Sequence, residues 1–218
     1  MKQKIILVDD DIDLSKAIKF GLDVINAEFV WLENKIQFEK YLTNSDENIK
    51  MARCLIMDIN LGNDNGLDLF QNNQSELEKN FIKVLFLTGH GEIDEAVGAL
   101  KKGALDFLQK PIDFNLLIES VKNCLKASET SILNRKLISD FEKRFQNLTD
   151  KEKTIMKQII ISKSNKEIAL ELGNSIRTIE LHRSRIFEKM SVENAIDLAR
   201  ENDQYQNLSK NENILKNE

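Results

Sequence analysis

Four short apolar runs in the first half of this chain each stop on a residue that carries chemistry. Ile5-Ile6-Leu7-Val8 stops on Asp9 and Asp10, and Cys54-Leu55-Ile56-Met57 stops on Asp58. Val84-Leu85-Phe86-Leu87 stops on Thr88, and the run from Leu105 to Gln109 stops on Lys110, just before Pro111. Short β-rich runs that alternate with helical stretches predict a parallel sheet with helices on both faces. In such a sheet all the carboxyl ends of the strands share one edge, where ligands bind. The sequence therefore predicts three carboxylates, a hydroxyl and an ammonium in one crevice.

The first 127 residues read as five strand–helix pairs. Strands fall near 4–8, 28–32, 53–58, 82–88 and 104–109, and helices near 13–25, 35–44, 66–79, 92–102 and 113–127, with a polar loop at 45–52. The expected fold is a doubly wound α/β sheet of five parallel strands. Residues 128–147 read as a helical linker, because Ile132, Leu133, Leu137, Ile138, Phe141 and Phe145 fall on one helical face.

Residues 148–201 read as a small all-α domain. Thr149 and Glu152 form a capping box that opens a helix to about 161. A second helix is expected over 165–172, ended by Gly173 in the left-handed conformation. Ser175 can cap a third helix over 176–190, and a last one is expected over 192–201. Residues 202–218, rich in Asn, Lys and Glu, read as a disordered tail.

The net charge of −5 does not by itself suggest a nucleic-acid binder, but it is unevenly spread. Residues 1–127 carry 15 basic and 21 acidic side chains, whereas residues 149–200 carry 10 and 8. A DNA-binding surface in the second half would be hidden in the total. Cys54 and Cys124, the two cysteines, sit in apolar patterns and read as buried thiols. No run is long enough to span a bilayer. The N-terminus enters a strand at once and reads as having no signal peptide. A cytoplasmic location without membrane contact is expected.

The crevice suits phosphoryl transfer. Mg²⁺ takes a few carboxylates, a carbonyl and several waters. Asp10 and Asp58 could supply oxygens directly, with Asp9 acting through water. Asp58 could then attack phosphorus as a nucleophile. Lys110 could balance charge on the phosphoryl oxygens, and the Thr88 hydroxyl could donate to one of them. Phe107, taken alone, reads as core.

The motifs IILVDDD, LIMDINLGNDNG, LFLTGHG and DFLQKP, in that order, resemble the flavodoxin-like receiver domain of bacterial two-component response regulators over about residues 3–127. The resemblance implies that Asp58 accepts a phosphoryl group from a sensor histidine kinase. It implies Mg²⁺ held by Asp9, Asp10, Asp58 and the backbone carbonyl of Asn60. It also implies a switch made of Thr88 and Phe107, and a cis peptide before Pro111. One departure is Gly62, where the family usually has proline; it is expected to loosen the loop beside the phosphorylation site.

At 100° per residue, Ile176, Ile179, Ile186, Phe187 and Met190 form the core face of the 176–190 helix. Leu181 points away from that face, among Arg177, Ser184, Arg185 and Glu188. An exposed leucine on a recognition helix can pack on a thymine methyl. The preceding helix, the Gly173 turn and the Ser175 cap make a helix-turn-helix. The runs LTDKEKTIM and SNKEIALELGNSIRTIELHRSRIFEKM resemble the NarL/FixJ-type, or LuxR-type, DNA-binding domain.

That likeness places Glu180, Leu181 and Ser184 at groove-facing positions. Thr178 is among the residues that match the family and counts with the DNA-binding set. Lys166, Arg177, His182, Arg183 and Arg185 are candidates for phosphate contact. Ser162 stands where the family commonly has glycine, which implies a small loss of stability.

The expected protein is a transcriptional response regulator. Its partners would be a sensor histidine kinase, promoter DNA, a second copy of itself after phosphorylation, and RNA polymerase. Its only chemistry would be Mg²⁺-dependent phosphorylation and dephosphorylation of itself. One alternative is a DNA-binding regulator that works without phosphorylation. Another is a haloacid dehalogenase-type phosphatase with Asp9 as nucleophile and Asp11 as acid, which lacks that family's final acidic pair.

Overall fold

The computed structural model describes residues 2–43, 51–89 and 93–215. They divide into two compact units, residues 1–132 and 133–218.

In the first unit, β1 (Lys2–Val8), α1 (Ile12–Gly21), β2 (Glu28–Leu32), α2 (Lys35–Thr43) and β3 (Met51–Asp58) follow in order. A short hairpin of β4 (Asn60–Leu61) and β5 (Asp64–Asn65) leads to α3 (Gly66–Asn72) and α4 (Gln74–Lys79). Then come β6 (Ile82–Thr88), α5 (Ile93–Lys101), β7 (Asp106–Gln109) and α6 (Phe114–Gln146). The sheet order is β2-β1-β3-β6-β7, with every pairing parallel.

Successive side chains on a strand point to opposite faces, so the central strands feed two cores. Ile6, Val8, Leu55, Met57, Val84 and Phe86 pack with Phe38 and Leu42 of α2, Phe70 of α3 and Leu77 of α4. Ile5, Leu7, Cys54, Ile56, Leu85 and Leu87 pack with Ile18 of α1 and with Leu117, Val121 and Cys124 of α6. Both cysteine side chains are buried and reduced. Burial and the neighbouring Cys124 thiol push the Cys54 thiol up.

Far from the carboxyl edge, the Arg53 amide donates to Ser128 Oγ at 2.9 Å, and that hydroxyl donates to the Phe81 carbonyl at 2.5 Å. Ser128 is fully buried. It ties α6 to the starts of β3 and β6.

Several expectations for this half need correction. The helix expected over 66–79 is two helices, parted at Asn73, whose side chain donates to the Leu69 carbonyl at 2.9 Å. Helix α1 stops at Gly21 instead of running to 25. The loop expected at 45–52 already contains the start of β3, and its residues 45–50 lie outside the described residues. The hairpin around Gly62 was not anticipated. Gly62 has φ +63, a conformation closed to proline, and it turns the chain tightly between β4 and β5.

The helix expected over 113–127 and the linker over 128–147 are one 33-residue helix, α6. No glycine or proline lies between Pro111 and Gly173 to stop it. The presumed single apolar face is also divided. Ile132, Ile138 and Phe141 are buried, but Leu133 and Leu137 are about half exposed.

The second unit holds the end of α6, then α7 (Asp150–Ile160), α8 (Asn165–Leu172), α9 (Ile176–Met190) and α10 (Ala195–Leu215). Thr149 and Glu152 make both bonds of the capping box, and Ser164 with Glu167 makes a second. Gly173 ends α8 at φ +61, and Ser175 caps α9. The core gathers Phe141, Ile155, Met156, Ile159, Ile168, Ile179, Ile186, Met190 and Leu198.

Contrary to the expected disorder over 202–218, α10 is helical to Leu215; residues 216–218 lie outside the described residues. A half-buried stripe, Glu201, Asn202, Tyr205, Leu208 and Ser209, runs at helical spacing through this polar composition. The Tyr205 ring stacks on Phe141 with centroids 4.4 Å apart.

Candidate functional site

The predicted crevice forms at the carboxyl ends of β1 and β3, at the point where the strand order reverses. Asp9 and Asp10 follow β1, Asp58 ends β3, Thr88 ends β6, and Lys110 follows β7. Asp9 and Thr88 are fully buried, and Asp58 is 6% exposed, whereas Asp10 is exposed. Carboxylate oxygens of Asp9, Asp10 and Asp58 lie within 4.8 Å of one another. Lys110 Nζ donates to Asp58 Oδ2 at 2.7 Å and to Asp9 Oδ2 at 3.1 Å.

The backbone fixes this geometry. The amide of Asp11 donates to Asp9 Oδ1 at 2.8 Å, and Trp31 Nε1 donates to the Asp9 carbonyl at 2.9 Å. The Asn60 amide points at Asp58 Oδ1 from 3.4 Å. A Cβ on Gly66 would lie 2.0 Å from the Asp58 carbonyl oxygen, so only glycine lets α3 start this close to the acceptor. Lys110 is held by its amide, which donates to the Thr88 carbonyl at 2.8 Å, and its bond to Pro111 is cis. The Thr88 hydroxyl rests 3.3 Å from the Gly89 carbonyl. Phe107 is half-buried against the core.

Three carboxylates face one ammonium, a local excess of two negative charges. Burial raises the pKa of Asp58 and of Asp9, against the lowering effect of Lys110. Burial opposes the charge of Lys110 too, but the bonds and charges of Asp58 and Asp9 outweigh it and raise its pKa. Hard oxygen ligands with a surplus of about two charges fit a divalent cation of the Mg²⁺ kind. Asp11, the acid of the phosphatase alternative, is occupied: its carboxylate caps α1 by accepting from the amides of Asp13 and Leu14.

In the second unit the nine predicted DNA-binding residues separate into two groups. Lys166 on α8, and Arg177, Glu180, Leu181, Ser184 and Arg185 on α9, are exposed. Leu181 is 52% exposed, as its angle on the helix predicts. Thr178, His182 and Arg183 are half-buried. The Thr178 hydroxyl pairs with Ser175 at 2.7 Å, and Arg183 lies over the Phe187 ring, 5.5 Å from its centroid. Nδ1 of His182 is buried without a hydrogen-bond partner among the described residues. Ile176, assigned to the core face, is 47% exposed, because it sits in the first turn where the helix end opens to solvent.

Other polar residues in this unit serve structure and are not apparent from spacing. Lys189 pairs with buried Glu152 at 2.7 Å, which locks α9 onto α7. Arg144 donates to the Met190 carbonyl and to Glu201, the latter at 2.8 Å.

Comparisons with known proteins agree with this division. The family model described as response regulator receiver domain matches residues 5–122. The model described as bacterial regulatory proteins, luxR family, matches residues 146–201. The response regulator protein TodT of Pseudomonas putida is 34% identical over 156 residues, 72% of this chain and 68% of that protein. The transcriptional regulatory protein FixJ of Bradyrhizobium diazoefficiens is 27% identical over 199 residues, 91% of this chain and 94% of that one. The solved structure of response regulator StyR superimposes with a TM-score of 0.80 at 25% identity, covering 94% of this chain and all of that one.

Proposed function

The chain belongs to the two-component response regulators that join a receiver domain to a LuxR-type DNA-binding domain, and we propose that Asp58 is its phosphoryl acceptor. It is a DNA-binding transcriptional regulator whose partners are a histidine kinase and promoter DNA. Our assignment gives reception to residues 1–127, connection to 128–147 and DNA binding to 148–201.

The observation that carries the proposal is the Lys110 ammonium, which bridges Asp58 and Asp9 at 2.7 and 3.1 Å inside a cluster of three carboxylates. A carboxylate oxygen of Asp58 attacks the phosphorus of a phosphohistidine, and the histidine nitrogen leaves with the bonding electrons. A phosphoryl group on Asp58 brings oxygens for the Lys110 ammonium to follow, which frees it from the bare carboxylate. The Thr88 hydroxyl, which donates to the Gly89 carbonyl at 3.3 Å, turns to donate to the same oxygens. Phe107 follows into the space that Thr88 vacates.

Asp9, Asp10, Asp58 and the Asn60 carbonyl would hold Mg²⁺, which offsets phosphoryl charge when bound. Hydrolysis of the acyl phosphate in the same crevice resets the protein. We place it in the cytoplasm. Phosphorylation drives dimerisation, which doubles the phosphate contacts of a domain with little net charge of its own. RNA polymerase is the further partner at the promoter.

Intact-protein mass after incubation with Mg²⁺ and acetyl phosphate tests the acceptor. A gain of one phosphoryl group in the wild type, absent in Asp58→Asn, is expected. An equal gain in the variant would move the acceptor elsewhere. No gain in the wild type would favour a regulator that works without phosphorylation.

A further inference from the structure

Helix α9 gives one side to the core and the other to solvent. Ile179, Ile186 and Met190 are fully buried, and Arg177, Glu180, Leu181 and Ser184 are exposed on the opposite side. Glu180 is at the centre of this face, in the N-terminal half of the helix that a helix-turn-helix lays against base edges. No ion pair or hydrogen bond involves Glu180 among the described residues. The exposed arginines nearest in sequence, Arg177 and Arg185, form no ion pair with it among the described residues. On a surface meant for a polyanion, an unpaired carboxylate is a cost unless the groove itself supplies a donor.

Among base edges in the major groove, few can. Guanine offers two acceptors, and thymine offers an acceptor and a methyl. Adenine offers one amino donor, but its N7 acceptor lies beside it and repels the second carboxylate oxygen. Cytosine alone offers an amino donor without a neighbouring ring acceptor. We infer that Glu180 is a specificity-determining residue that selects a C·G pair by accepting from the cytosine N4 amino group. Leu181 packs on a thymine methyl of the adjacent pair. Selection is largely by penalty: any other base leaves a desolvated carboxylate unpaired among phosphates. This rests on α9 being the recognition helix.

The two functions of Glu180 can be separated. Replacing the carboxylate by a carboxamide removes a negative charge from the DNA face, so affinity for arbitrary duplex rises while the preference for C·G falls. A side chain that only held the fold would not produce both effects. Glutamine also carries a donor and an acceptor, which match N7 and N6 of adenine.

The test is selection of binding sites from a duplex pool with a randomised core. It uses the full-length protein with Mg²⁺ and beryllofluoride, as wild type and as Glu180→Gln. The wild-type half-site is expected to contain a C·G pair beside an A·T pair. In the variant, the cytosine column is expected to shift to adenine. The variant is expected to bind the wild-type site about tenfold more weakly and random duplex more tightly. A consensus shared by both proteins would overturn the inference and leave DNA binding standing. No enriched consensus for the wild type would overturn the recognition-helix assignment together with the inference. Circular dichroism melting of both proteins distinguishes lost folding from lost recognition.

Discussion

The two units use charged side chains in opposite ways. In the first, the charges that matter are buried: Asp9 and Asp58 are almost inaccessible, and burial raises the pKa of each. In the second, the exposed charges of α9 include a carboxylate, Glu180, with no partner among the described residues. A chemical site works by holding groups in an unfavourable, dry arrangement that a phosphoryl group or cation relieves. A reading surface works by leaving groups unsatisfied in water until a base edge meets them. The first arrangement opposes folding, and the second does not.

The sharpest test of that contrast is Asp58→Asn, which should abolish phosphoryl uptake by intact mass and also make the protein more stable. Removing a buried carboxylate with a raised pKa is expected to raise stability in chemical denaturation at neutral pH. The opposite change is Lys110→Ala, which leaves two buried carboxylates without their ammonium. Breaking a fully buried pair costs about 3–5 kcal/mol. Lys110 is 27% exposed, so a loss of about 2 kcal/mol is expected in the same assay. Leu181→Ala, in contrast, should leave stability within about 0.5 kcal/mol while it weakens specific DNA binding.

The pH dependence follows from the same carboxylates. Asp9 and Asp58 have folded pKa values above their unfolded ones, so their protonated forms favour the native state. Their contribution is fully present below the ordinary carboxylate pKa of about 3.9 and is lost as pH rises through the raised values. The stability advantage of Asp58→Asn over wild type should therefore grow between mildly acid and neutral pH. An advantage that is flat with pH would mean that Asp58 is not perturbed by burial. Mg²⁺ should raise the wild-type melting temperature by favouring the ionised cluster. Asp10→Asn should blunt that rise while slightly raising stability in chelator, because it relieves repulsion on Asp9.

The smallest expected effect concerns Ser162. It adopts φ +63 at the end of α7, a left-handed conformation that costs a residue with a Cβ about 1 kcal/mol. Ser162→Gly should recover roughly 0.5–1 kcal/mol in thermal melts, with DNA binding unchanged. At Gly173, also left-handed, alanine should lose a similar amount.

Much of this was legible because polarity and period coincide. An apolar strand that stops on Asp, Thr or Lys marks the edge of the sheet, and the residues that stop the strands are the site itself. Leu181 was legible as an exception to the polar face of α9. The failures lie where composition and packing disagree. Residues 202–215 look like a solvated tail, yet a sparse stripe ending in Leu208 and Ser209 suffices to hold a helix. The linker seemed to have one apolar face, but Leu133 and Leu137 are left about half exposed between segments whose apolar residues are buried. The break at Asn73 and the Gly62 hairpin depend on local hydrogen bonds that periodicity does not register.

The Ser128 clamp bears on how the protein is made. The residue it meets, Arg53, precedes it by 75 positions, and Ser128 lies beyond residue 122, where the receiver family model stops. Long-range closures of this kind form late. On the ribosome, the sheet can assemble strand by strand, but its last closure must wait until residue 128 has cleared the exit tunnel. A nascent chain released shortly before that point would carry every residue of the phosphoryl site and still lack the clamp that closes the other end of its sheet.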